Sequence, residues 1–96
     1  MNEILQMYPK QHEDVASRVI EGEAIVLTPQ NGMLHTFNSV GTRIWEFANG
    51  KRTVASIIQK LSEEFDAEEK KIREDAIDFI EDLVHKKMFA LSKKPT

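Results

Sequence analysis

The sequence predicts an α+β domain in which a three-stranded antiparallel sheet (β-β-β) precedes three helices (α-α-α), a winged helix-turn-helix arrangement with the sheet placed first. Three observations predict it. Short stretches rich in β-branched residues, separated by turn residues, fill the chain up to Phe37. Three segments after that point open on a capping residue and continue with apolar residues at helical spacing. The 96 residues suit one modest core and leave no room for a second domain.

Residues 1–14 mix apolar and polar side chains without a sustained period, and Tyr8-Pro9 would break any helix begun earlier, so this stretch reads as an extended arm. The domain proper runs over residues 15–91. Val15–Ile20 is the first strand, Glu21-Gly22 a turn, and Glu23–Thr28 the second strand, together a hairpin. Pro29-Gln30-Asn31-Gly32 closes the second strand, with an Asn-Gly pair favoured where both turn residues need positive φ. Met33–Phe37 returns antiparallel as the third strand. Alternation puts Met33, His35 and Phe37 on one face, with Phe37 toward the core, and Leu34 and Thr36 on the other.

Asn38 or Ser39 caps the first helix, whose apolar residues Val40, Ile44, Phe47 and Ala48 recur at helical spacing. Gly41 stands one turn inside it, where alanine would be favoured by about 1 kcal/mol, so a close backbone approach is expected there. Gly50 stops the helix. Thr53 caps the second helix, with Val54, Ile57, Ile58, Leu61 and Phe65 as its stripe. Asp66 and Glu69 have capping-box spacing, which starts a third helix near Ala67. Its apolar set, Ile72, Ala76, Ile77, Phe79, Ile80, Leu83, Val84 and Met88, covers about half the circumference, more than the stripe of about 100° that one packing surface needs. Phe89-Ala90-Leu91 could add a short extended contact, and residues 92–96 read as a frayed tail.

Composition excludes several classes. With no cysteine there is no disulfide, thiolate nucleophile or Cys-ligated zinc. His12, His35 and His85 fall on the arm, the third strand and the end of the third helix, without metal-ligand spacing. Asp78 and Asp82 lie one turn apart, but nothing completes a mechanism around them, and a solvated face explains them. The reading is therefore not an enzyme, with no metal and no cofactor. No apolar run approaches the ~20 residues of a membrane span, and the first residues lack a secretory pattern, so a cytoplasmic protein is expected. The net charge of −3 and the lone Lys51-Arg52 pair argue against a nucleic-acid partner, although a winged-helix DNA-binding transcriptional regulator is the rival that the fold class raises.

Two features remain unexplained by folding alone. The third strand is a sheet edge with unpaired N–H and C=O groups, to which an extended peptide can add as a further strand, and the third helix has apolar surface to spare. Alternatively, the N-terminal arm covers the edge and the spare helix surface packs on Phe89 and Leu91. Exchange of the hairpin between two copies would give a homodimer.

The residues Phe37-Asn38, Gly41, Ile44-Trp45, Gly50, Thr53-Val54, Asp75, Phe79-Ile80 and Leu83, in that order and spacing, resemble the PqqD-like family (coenzyme PQQ synthesis protein D). This is the stand-alone recognition element for precursors of ribosomally synthesised, post-translationally modified peptides (RiPPs). The resemblance covers Val15 to about Leu91. Lys87 departs from it, standing where the family often has glycine, and the arm matches nothing in it. The resemblance implies a non-catalytic winged helix-turn-helix domain that binds the leader of a precursor peptide, the leader adding beside the third strand and lying against the third helix. Carried to this chain, it implies a pairing edge of Met33, Leu34, His35, Thr36 and Phe37 and a helix side drawn from Ile77, Asp78, Ile80, Glu81 and Val84. Asn38, Gly41, Trp45, Gly50, Asp75 and Leu83 are then structural. A modifying enzyme, such as a radical SAM protein of PQQ or another RiPP pathway, is the implied second partner.

Overall fold

A computed structural model describes residues 3–28 and 31–95. After a 3-10 turn at Glu3–Gln6, the order is β1 (Tyr8–Gln11), β2 (Ala16–Ile20), β3 (Glu23–Thr28), β4 (Met33–Thr36), α1 (Ser39–Phe47), α2 (Val54–Glu64), α3 (Glu69–His85) and β5 (Phe89–Ser92). The expected antiparallel three-stranded sheet, order β2-β3-β4, is followed by the three expected helices. The winged-helix label describes this loosely, because a second, two-stranded ribbon joins the chain ends.

That ribbon pairs β1 with β5, Pro9 opposite Leu91 and Lys10 opposite Ala90. β1, together with Met7 before it, acts as a strap across the α1–α2 connection. Gly50 N–H donates to the Pro9 carbonyl at 2.9 Å, Gln11 N–H to Ala48 at 3.1 Å, and Val54 N–H to Met7 at 3.0 Å. Gln11 also donates its side-chain amide to the Trp45 carbonyl at 2.8 Å. Tyr8-Pro9 does end the preceding helical turn, but the chain that follows is a strand with fixed partners. The arm therefore pairs with β5 and leaves β4 uncovered among the described residues.

Glu21 and Gly22 turn the β2–β3 hairpin with φ of 53° and 81°, the two positive values that a tight primed turn requires. Half of the next predicted turn, Pro29-Gln30, lies outside the described residues, as do Met1, Asn2 and Thr96. Within the other half only Gly32 has positive φ. Asn31 works through its side chain, accepting hydrogen bonds from the Thr28 hydroxyl and from Met33 N–H.

Asn38 caps α1 by accepting from Gly41 N–H at 2.9 Å, and Thr53 caps α2 by accepting from Ser56 N–H at 3.1 Å. The Asp66–Glu69 capping box does not form. α3 starts two residues later than expected, behind Glu68, with no side-chain cap. Ile44, Trp45, Val54, Ile57, Leu61, Ile72, Ala76, Ile80 and Leu83 bury their side chains together with Ala24 and Val26 of β3. Thr42 of α1 makes a buried polar contact with the sheet, accepting from the Ala24 N–H at 2.8 Å. Outside the core, Arg43 forks onto both Glu64 carboxylate oxygens at 2.8 and 2.9 Å, and these hydrogen bonds hold that carboxyl below its ordinary range.

α3 ends in a 6→1 and 5→2 hydrogen-bond pattern, Met88 N–H to Leu83 at 2.8 Å and Lys87 N–H to Val84 at 3.1 Å, with Lys87 at φ 62°. A side chain in this left-handed position costs about 1 kcal/mol or more relative to glycine. Lys87→Gly should therefore raise unfolding stability by roughly 1 kcal/mol in a urea titration with an unchanged slope. A loss of stability would mean that the lysine side chain makes a contact outweighing its backbone strain.

Candidate functional site

β4 is short because a turn begins it and a helix cap ends it, and its edge is set by hydrogen-bond alternation. Phe37 N–H donates to the Ala24 carbonyl at 2.9 Å. In an antiparallel ladder alternate residues bond to the same neighbour. His35, opposite Val26, and Met33, opposite Thr28, therefore turn their backbone groups toward β3. Leu34 and Thr36 turn their N–H and C=O groups outward, where no strand among the described residues meets them. The side chains alternate as well. Phe37 is buried and His35 half-buried on the inner face, while Leu34, 65% exposed, stands on the outer face beside its partner Leu27. Met33 remains 52% exposed at the end of the strand.

Phe37 joins this edge to α3. Its ring meets the Phe79 ring edge-on, with centroids 4.9 Å apart. Gly41 permits that approach, since a Cβ there would lie 3.1 Å from the Phe79 ring and 3.2 Å from the Phe37 Cβ. Phe79 thus identifies the flank of α3 that faces β4. At about 100° per residue, Asp75, Asp82 and Lys86 lie within about 60° of it. Asp75 pairs with Lys71 at 3.2 Å and Asp82 with Lys86 at 2.9 Å. The wall beside β4 consequently offers an aromatic ring framed by self-neutralised charges.

The structure brings Met33–Thr36 and Phe37 together at one edge, and it separates them from most of the helix residues expected to accompany them. Ile80 is fully buried in the core. Ile77, Glu81 and Val84 point about 140–160° away from Phe79, and Asp78 about 100° away, on the solvent ridge. Glu81 and Val84 instead line a groove with Ile4, Met7 and Leu91. Trp45 and Leu83 are buried, Asn38 is the cap already described, and Gly50 anchors the strap. Asp75 is exposed and belongs to the wall beside β4. Phe79 is the α3 residue that meets Phe37, and Gly41 is its signal in the sequence. A glycine inside a helix requires something large against it, and α3 has one aromatic residue to offer.

Other chemistries find little here. Among the described residues no three His, Asp or Glu side chains converge as a metal site, and no helix is long and apolar enough to cross a membrane. Of the basic pair in the helix turn, Arg52 lies over the Phe47 ring at 5.3 Å from its centroid.

The molecule is thus a small α+β domain whose distinctive surface is an uncovered strand edge beside a helix, the geometry of a recognition module. Residues 23–88 match the family model for coenzyme PQQ synthesis protein D, and the chain belongs to that PqqD family. A solved structure described as TbiB1 in complex with the TbiA(beta) leader peptide is similar, with a TM-score of 0.75 and 25% identity over 83% of this chain and 93% of that one. No curated protein sequence matches.

Gly41→Val forces the Phe79 and Phe37 rings apart and should destabilise the fold by about 1–3 kcal/mol in chemical denaturation. A neutral result would show that the two rings can separate without cost and do not fix α3 against β4.

Proposed function

We propose that this chain is a non-catalytic peptide chaperone that captures the leader of a ribosomally made precursor peptide by strand addition at β4 and presents it to a modifying enzyme. One observation carries the proposal: β4 ends the sheet with outward N–H and C=O groups at Leu34 and Thr36, next to the Phe79 flank of α3. The sheet's other edge is less suited to a ligand, because β2 carries Arg18 at mid-strand whereas β4 carries no Lys, Arg, Asp or Glu. Similarity to a domain solved with a leader peptide supports the ligand class, and membership of the PqqD family supports the pathway class.

The leader's inward side chains would approach Phe79, Asp75, Asp82 and Lys86, and its outward side chains would lie beside Leu34. In this reading Ile77, Glu81 and Val84 do not touch the leader. The modifying enzyme is of the radical SAM type in the reading that the family resemblance implies.

Proline substitution tests the pairing directly. Leu34→Pro or Thr36→Pro removes an outward N–H and keeps the β3 ladder, so each should weaken binding of a synthetic leader about five- to tenfold in calorimetric titration while the thermal melt stays near wild type. His35→Pro removes an N–H that serves β3 and should lower the melt instead. Wild-type leader affinity in both edge variants rejects strand addition at β4.

A further inference from the structure

We propose that α3 carries a second recognition surface on the flank turned away from β4, a groove that accepts an apolar side chain set among basic residues on the modifying enzyme. The proposal rests on the leader-capture reading, and it assigns the enzyme to the opposite side of the helix from the leader.

The groove is an open hollow of about 430 Å³ between the 3-10 turn, the last turns of α3 and β5. Ile4, Met7, Val84 and Leu91 make its apolar walls, and Glu3, Glu81 and His85 its rim. Ile4 is buried, whereas Met7, Val84 and Leu91 are half-buried and present apolar surface to an incoming group. Val84 takes up part of the surplus apolarity of α3: it packs against the edge of the core, away from β4, and keeps apolar surface on the groove.

Charge selects the occupant. Three α3 carboxylates are paired within the helix, Glu69 with Arg73, Asp75 with Lys71 and Asp82 with Lys86. Among the described residues, Glu74, Asp78 and Glu81 have no cation within 4.0 Å. Glu74, Glu81 and Val84 fall within about 80° of one another around the helix, and Glu3 adds a further carboxylate from the turn. Lys70, one turn before Glu74, and Arg73, which is paired with Glu69, are the cations on this side of the helix, with His85 at the far rim. The surface is therefore negative around an apolar hollow, while the Phe79 flank has neutralised itself. A large apolar residue flanked by Lys or Arg complements both properties, the apolar part as the buried anchor and the charges as orientation and steering. The two flanks lie about 140–160° apart, so leader and enzyme can be held at once.

Two probes separate the sites on the full chain: a synthetic leader of a RiPP precursor from the same source, and the purified modifying enzyme that acts on that precursor. The exposed charge reversals Glu74→Lys and Glu81→Lys, combined, should weaken enzyme binding at least tenfold, remove most of its salt dependence and leave leader affinity within twofold. Val84→Lys, filling the groove, should do the same, with its fold checked by circular dichroism. Unchanged enzyme affinity in the charge-reversed chain overturns the proposal, as does an enzyme that fails to bind the wild-type chain. Loss of leader affinity in that chain would assign the groove to the leader, and loss of a wild-type dimer in sedimentation would assign it to a second copy; either overturns the proposal. Failure of the leader to bind the wild-type chain is a separate result, and it strikes the leader-capture reading itself.

Discussion

Four aromatic rings from four elements close a circuit on which the rest of this fold depends. Phe37 at the end of β4 meets Trp45 of α1 with centroids 5.8 Å apart, Trp45 stacks on Phe89 of β5 at 5.2 Å, and Phe89 meets Phe79 of α3 at 6.4 Å. Phe79 returns to Phe37 at 4.9 Å. Each such pair contributes about 0.5–1.5 kcal/mol beyond the area it buries. Their larger effect is geometric. A sheet and a helix that share no hydrogen bond are fixed in spacing by two rings, and the spacing beside β4 is the feature any ligand would meet. The strap reinforces the same point from outside, since Gln11 holds the Trp45 carbonyl and β1 holds β5.

The local parts of this arrangement were legible in the chain, and the non-local parts were not. Asn38 and Thr53 announce helix starts because capping is decided within three residues, and Glu21-Gly22 announces its turn for the same reason. Pairing of Tyr8–Gln11 with Phe89–Ser92 joins segments about eighty residues apart, and neither strand is long or periodic enough to declare itself. The third helix shows the limit most clearly. Its apolar arc reveals that it has spare surface, but an arc has no compass: Ile77 and Val84 on one side and Phe79 on the other are equally apolar. Only a partner residue fixes which side is which, and here that partner is Gly41. Asp66 misled because Glu68, without any side-chain cap, starts the helix where packing of Ile72 demands it.

Among the described residues the exposed large apolar side chains all lie on one sheet: Val19, Ile20, Leu27, Met33 and Leu34. A domain of this size gains stability by covering such surface, so its retention at β4, on an edge without Lys, Arg, Asp or Glu, is a cost that a binding role explains. The same economy applies to α3, where lysines neutralise the carboxylates beside β4, whereas Glu74, Asp78 and Glu81 have no cation within 4.0 Å among the described residues.

Backbone pairing alone cannot hold a peptide at this edge. Leu34 and Thr36 offer at most two N–H donors and two acceptors, worth about 0.5–1.5 kcal/mol each after exchange with water. Ordering each residue of an incoming chain costs about 1–2 kcal/mol, so a strand of four or five residues roughly cancels that gain. Net affinity must come from side chains, at about 1.5–3 kcal/mol for each large apolar group fully buried. One or two such groups, reaching inward toward Phe79 or outward onto Leu34 and Leu27, would decide whether a peptide binds. Under the proposed strand addition, selectivity would therefore reside in the alternating side chains of the added strand, and the hydrogen bonds would fix its register.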